Sequence, residues 1–179
     1  MAAKNRIPRL VKPVAAVMAQ SVELIGEALG ALESELGEID FLGEIYRFDH
    51  SRYYKAEMGD ELFKRFASFD MLRWPDFLAP LKRRTAAFER LHSESDGGRR
   101  INVDPGYWSD AKLVLASTKN YSHRIWIGRR VFAEVTLRVD RGKLAPLGWT
   151  YPDYKTGQAL EFFNSVRKRY LQQLNELES

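Results

Sequence analysis

From Val11 to Gly37 the chain spells out a strand, a capped helix and a stop, and no other stretch constrains its fold as tightly. Val11 to Ala19 is a short apolar run with three valines, the composition of a buried strand. Ser21 then offers a side-chain oxygen to the first free amides of a helix. Val22, Leu24, Ile25, Ala28, Leu29, Leu32 and Leu36 recur at helical spacing, and Gly37 supplies the stop. A strand followed by an amphipathic helix must bury its apolar stripe against a sheet.

The remaining segments repeat that theme. Ile39 to Phe48 has strand composition and ends at Asp49, and His50 to Met58 reads as one or two helical turns closed by Gly59. Phe63 to Phe69 alternates as a strand, and Pro75 opens a helix running to about His92. Ser93 to Gly98 is loop-like. Arg100 to Val103 is a short strand feeding Asp104-Pro105-Gly106-Tyr107, whose residue types suit a turn. Ser109 and Asp110 suit a helix start, with Leu113, Val114 and Ala116–Ser117 inside a brief helix. Tyr121 to Ile127 and Arg130 to Val139 then form a hairpin across Gly128-Arg129. Lys143 to Leu147 returns as a strand, and a last helix runs from about Gly157 to Leu174. The order predicts an α+β domain with a ferredoxin-like βαββαβ core, extended by an antiparallel hairpin and a C-terminal helix. The expectation is one domain over residues 1–179, with 1–10 read as a flexible basic tail.

Composition narrows the chemistry. The absence of Cys removes disulfides, thiolate metal sites and thiol nucleophiles together. With only His50, His92 and His123, no multi-histidine metal site is expected and no metal ligand is assigned, while a hard cation held by carboxylates stays open. The 28 basic and 24 acidic residues leave a net charge of +4, a mild preference for anionic partners. Lys82-Arg83-Arg84, Arg99-Arg100, Arg129-Arg130 and Arg167-Lys168-Arg169 are short, separate runs that read as solvated surface charge. Val14 to Ala19 is too short for a signal core or a spanning helix, so the expected location is cytoplasmic, with no membrane partner. Neither GxxxxGK[ST] nor GxGxxG is present, nor a GxSxG elbow.

Three polar segments are left to carry a site. Asp104-Pro105-Gly106-Tyr107 is either a plain turn or a device exposing a carboxylate and a phenol beside a helix N-terminus. Ser117 to Arg124 packs hydroxyls, an amide, two cations and an imidazole into eight residues. It doubles as a helix end, with Lys119 against the dipole and Asn120 in the left-handed position. If Gly128-Arg129 is a two-residue turn, Ile127 pairs with Arg130, Ile125 with Phe132 and His123 with Glu134. His123, Ile125, Phe132, Glu134 and Thr136 then share one face, and Trp126, Val131, Ala133, Val135 and Leu137 the more apolar other. A carboxylate beside an imidazole suits acid–base work and equally makes a salt bridge. One residue more or less in the turn would undo that pairing. Trp149 to Lys155 adds aromatics and an acid before the last helix, fit for packing or for lining a pocket.

The blocks FDHSRYYKAEMG (48–59), RRINVDPGY (99–107), KLVLASTKNYSHRIWIG (112–128), FAEVTL (132–137) and WTYPDY (149–154) resemble, in order, the domain-of-unknown-function family 4416. Where that family has Phe-Thr-Asp before paired tyrosines, this chain reads His50-Ser51-Arg52. The resemblance carries no established activity; members of the family are sometimes labelled GTP-binding proteins, which without a phosphate loop is compatible only with nucleotide binding by some geometry other than that of an ordinary GTPase. Thr118-Lys119-Asn120-Tyr121 resembles a guanine-reading Asn-Lys-x-Asp motif only faintly, lacking the final Asp.

The expectation is a pocket for a small anionic, phosphate- or carboxylate-bearing ligand, a nucleotide among the options. Asp104, His123 and Glu134 are the acid–base candidates. Arg99, Tyr107, Lys112, Thr118, Lys119, Asn120, Tyr121, Arg124, Tyr151 and Asp153 are the binding candidates. The sequence points to no particular cofactor or oligomeric state. An RNA or ribonucleoprotein module and a protein-interaction scaffold are the alternatives, the first requiring a continuous basic face.

Overall fold

The computed structural model describes residues 9–49, 57–59, 61–95 and 97–178. The short helix expected from His50 falls largely outside them, as do Arg52, Tyr53 and Tyr54. Strand β1 (Lys12–Ala19) leads into helix α1 (Val22–Leu36). The Ser21 hydroxyl accepts the Leu24 amide at 3.2 Å, and Gly37, at φ +87°, turns the chain out of the helix. Next come β2 (Ile39–Leu42), β3 (Tyr46–Arg47) and β4 (Phe63–Phe69). The single strand expected from Ile39 is thus two, both pairing with β4, and Gly43 between them donates its amide to Phe66. A short 3-10 turn, Pro75–Phe77, opens α2 (Leu78–Leu91). Then follow β5 (Ile101–Ser109), β6 (Lys112–Ser117), β7 (Ile125–Trp126), β8 (Phe132–Asp140) and β9 (Lys143–Pro146). A second 3-10 turn, Pro152–Lys155, precedes α3 (Gly157–Glu178).

The sheet runs β2-β4-β1-β5-β6-β8-β7, with β3 on β4 and β9 on β8, and every pairing is antiparallel. The fold is α+β. The first half follows the expected alternation of strands and helices, and nothing in its order β2-β4-β1-β5 conflicts with a ferredoxin-like core.

Strand alternation sorts the core into two sides. Ala15, Val17 and Ala19 of β1 face the stripe Leu24, Ile25, Ala28, Leu29, Leu32 and Leu36 of α1, with Leu81 of α2 joining them. Val14 and Ala16 face the opposite way, against Phe163, Val166 and Tyr170 of α3. Each buried Val, Leu, Ile or Phe among them contributes about 1.5–3 kcal/mol. The buried face of α3 is tied to the sheet through a lysine that also makes an ion pair. Lys12, fully buried, donates from Nζ to Asp40 at 2.5 Å, to the Phe69 carbonyl at 3.0 Å and to Gln173 at 3.0 Å. Burial holds the Lys12 ammonium below its usual pKa, against the pull of Asp40.

Two expected elements are corrected. Asp104-Pro105-Gly106-Tyr107 is no turn: all four residues lie inside β5, paired along β1, with Ala16 opposite Asp104. The brief helix expected after it is strand β6, and Ser109 to Lys112 close a tight β-hairpin. Buried partners on both sides, β1 and β8, decide the matter over local turn and capping preferences.

The later hairpin exists but its register is displaced by one. Ile125 lies opposite Ala133 and Trp126 opposite Phe132, because the loop holds three residues, Gly128, Arg129 and Arg130. All three have positive φ, between 54° and 91°. A bulge between Leu113 and Val114 then turns Leu137 onto the α3 side with Leu113 and Leu115, not with Ala133 as alternation predicted.

Candidate functional site

Pairing of β5 with β6 runs only from Ser109 to Gly106. The next hydrogen-bonding position would set residue 105 opposite Ala116, and Pro105 has no N–H to offer. Gly106 makes the close crossing possible, since a Cβ there would lie 2.3 Å from the Val114 carbonyl oxygen. Beyond that point β5 and β6 part, and the exposed edge of β5 is satisfied by side chains of α2. Glu89 accepts the Val103 amide at 2.8 Å, and Lys82 donates to the Val103 carbonyl at 2.6 Å. The Asp-Pro-Gly segment therefore serves to stop a ladder and open the sheet.

Into this opening projects a charged network. Asp104 accepts from Asn102 at 2.7 Å and from Lys82 at 3.3 Å. Burial works to raise its pKa, but the charges of Lys82 and Lys64 and those hydrogen bonds outweigh it and hold the carboxylate below its usual range. Asp104 is thus a fixed anion and has no proton to give at neutral pH. Arg99 grips Glu57 with two parallel bonds of 2.9 and 2.8 Å and reaches Asn102 at 3.1 Å. Lys64 donates to Asp153 at 2.5 Å beneath the rings of Phe48, Phe66 and Tyr154. The Tyr46 hydroxyl completes Asp153 at 3.0 Å.

The opposite wall comes from the loop after β6. Arg124 is almost fully buried, and its guanidinium makes four separate bonds. Nε reaches Glu134 at 2.7 Å, one terminal nitrogen reaches Ser117 Oγ and the Lys119 carbonyl, and the other reaches Tyr151 Oη at 2.7 Å. Glu134, on β8 and equally buried, also accepts from His123 Nε2 at 3.1 Å and from Thr136 at 3.3 Å. His123 lies between two nearly parallel rings, Trp149 at 5.2 Å and Tyr121 at 6.1 Å. The Tyr121 ring also underlies the Arg124 guanidinium at 4.6 Å.

These walls enclose a cavity of about 510 Å³, within the size range of small-molecule sites. His123 and Asp104 line it together, as do Glu134, Arg99, Thr118, Lys119, Tyr121, Arg124, Tyr151 and Asp153. Three expected residues do not. Tyr107 points to the other sheet face, near Phe77, because it lies an odd number of residues from Asp104. Lys112 is exposed at the far end of β6, opposite Ser109 and Arg138. Asn120 faces solvent in the loop.

The His123–Glu134 contact is present, but not as a cross-strand pair. His123 lies beyond the end of β7, so the displaced register does not disturb it. Sequence reasoning missed Lys82, Glu89, Asn102 and Lys64. Lys82 had been assigned to solvated surface, yet Leu78, Lys82, Thr85 and Glu89 are spaced by four, three and four on one buried helix stripe. That spacing was the available signal.

An antiparallel α+β domain whose sheet opens on a charged, ring-walled cavity is the class that this fold and site define. The chain belongs to the domain of unknown function family DUF4416, whose model matches residues 9–170. No curated protein and no solved structure matches it.

Proposed function

We propose that the cavity binds a small organic anion, carrying a phosphate or carboxylate, with nucleotides included in that class. The observation that carries this reading is convergence. Asp104 of β5, the loop from Ser117 to Arg124, Glu134 of β8 and Tyr151 are far apart in sequence and line one space. The lining holds four cations, Lys82, Arg99, Lys119 and Arg124, against four acids, Glu89, Asp104, Glu134 and Asp153. With the charges matched, net field does not favour an anion, and the reading rests on directed donors such as the Tyr151 hydroxyl. The flat row of Trp149, His123 and Tyr121 offers stacking to a ring on the same ligand.

Helices cover both faces of the central strands, which weighs against base stacking on that part of the sheet and so against the RNA reading. A protein-interaction role draws support from Ile125 and Trp126 on the edge strand β7, 73% and 56% exposed.

The test is thermal-shift screening of the full chain against nucleotides, sugar phosphates and small carboxylates. A ligand at a hundred times its Kd should stabilise the fold by about 2.7 kcal/mol. The shift should be lost in Tyr151→Phe and His123→Ala. A flat panel, or shifts unchanged in both variants, would overturn the reading.

A further inference from the structure

The relay Tyr151–Arg124–Glu134–His123 dictates which polar groups remain for a ligand. An arginine can only donate hydrogen bonds, and a carboxylate can only accept them. Arg124 donates to Tyr151 Oη at 2.7 Å, so the phenol oxygen accepts there and its own proton is left to point elsewhere. Glu134 accepts from Arg124 at 2.7 Å and, as a carboxylate, can only accept, so His123 must donate to it from Nε2. A neutral imidazole protonated at Nε2 presents Nδ1 as a lone-pair acceptor. Neither His123 Nδ1 nor the Tyr151 proton has a hydrogen-bond partner among the described residues. Both residues line the cavity.

From this wiring we infer that the cavity recognises a hydroxylated anion of the polyol- or sugar-phosphate class, its hydroxyl donating to His123 Nδ1 and an acceptor oxygen taking the Tyr151 proton. The inference rests on the proposed function and names the ligand chemistry within it. Glu134 and Arg124 act as positioning residues: they touch no ligand and set the polarity of the two groups that do. Their own hydrogen bonds are already committed, so exchanging their partners would rewrite what the cavity selects.

The first measurement needs no ligand. In protein with isotope-labelled imidazole nitrogens, above the imidazole titration range, long-range nitrogen–proton NMR distinguishes the ring tautomers. The His123 resonances are assigned by their loss in His123→Gln. The expected result is a ring protonated at Nε2 alone, becoming a tautomer mixture in Glu134→Gln. Protonation at Nδ1 in the wild-type chain overturns the inference. The second measurement compares glycerol phosphate with propyl phosphate, which lacks the hydroxyls. Glycerol phosphate should bind about fivefold tighter, the worth of one neutral hydrogen bond, and the difference should vanish in His123→Phe. Equal affinities, or binding of neither, contradict the assignment. If no anion in the thermal-shift panel binds, the proposed function itself fails. A panel binder combined with an Nδ1-protonated ring defeats only this inference.

Discussion

At the residue scale, the site is governed by a few buried charges, Lys82, Glu89, Arg124, Glu134 and Asp153, each paired with an opposite charge. Arg124→Met would leave Glu134 buried with only His123 and Thr136 beside it, and such unpaired burial typically costs about 3–5 kcal/mol. Urea unfolding should show that loss. The double variant Arg124→Met/Glu134→Leu should recover most of it, because the buried acid goes with its partner. Alkaline pH supplies a second check. Burial pushes the Tyr151 phenol up to about 12, with Asp104 and Glu134 adding to it and Arg124 opposing. Burial likewise takes Tyr170 to about 12. An unfolded phenol ionises near 10, so the preference for the neutral form supports the fold fully below about pH 10 and is lost as pH rises toward 12. The urea midpoint should therefore fall across that window, and less steeply in Tyr151→Phe. A flat profile would contradict the burial of these hydroxyls. The His123–Glu134 contact was legible in the sequence for a reason that does not hold: the expected ladder pairing is absent, and the loop geometry supplies the contact instead.

At the scale of elements, two short segments decide where the cavity lies. Asp104-Pro105-Gly106 has the residue types of a turn, and local chemistry alone gives no way to tell a turn from a ladder stop inside a strand. The deciding facts are non-local: β1 runs beside the whole of β5, while β6 accompanies only part of it. Gly106→Ala should force β5 and β6 apart at Val114 and Leu115 and cost about 1–3 kcal/mol. Faster amide exchange confined first to β6 would show it. The hairpin loop tells the opposite story. Arg129 and Arg130 have φ of 54° and 58°, where side chains other than glycine are strained. Arg130→Gly should raise stability by up to about 1 kcal/mol, the relieved strain exceeding the added chain entropy. A loss of stability would argue for the two-residue turn that the sequence favoured. That register was illegible because Gly128-Arg129 and Gly128-Arg129-Arg130 differ only in whether Arg130 joins Arg129 in the left-handed conformation.

At the scale of the whole molecule, the periodic segments were the legible part. The helices α1, α2 and α3 and the strands β1, β4 and β9 lie close to where apolar spacing, caps and prolines put them. These segments carry periodicity, caps and prolines that agree with the packing they meet. The candidate site was half legible. Its loop residues Thr118, Lys119, Tyr121, His123 and Arg124 stand out as a polar cluster, whereas Lys82 and Glu89 look like ordinary charges until the sheet opens over them. Only the tertiary arrangement makes them part of a cavity. The central claim is that this cavity is where a small anion binds. It is tested most directly by mapping amide chemical shifts along the chain as the strongest panel ligand is added. The predicted perturbations concentrate at Asn102–Asp104, Ser117–Arg124, Glu134 and Trp149–Asp153. Perturbations centred instead on the smaller cleft between Gly43 and Phe162, or along the β7 edge at Ile125 and Trp126, would contradict it.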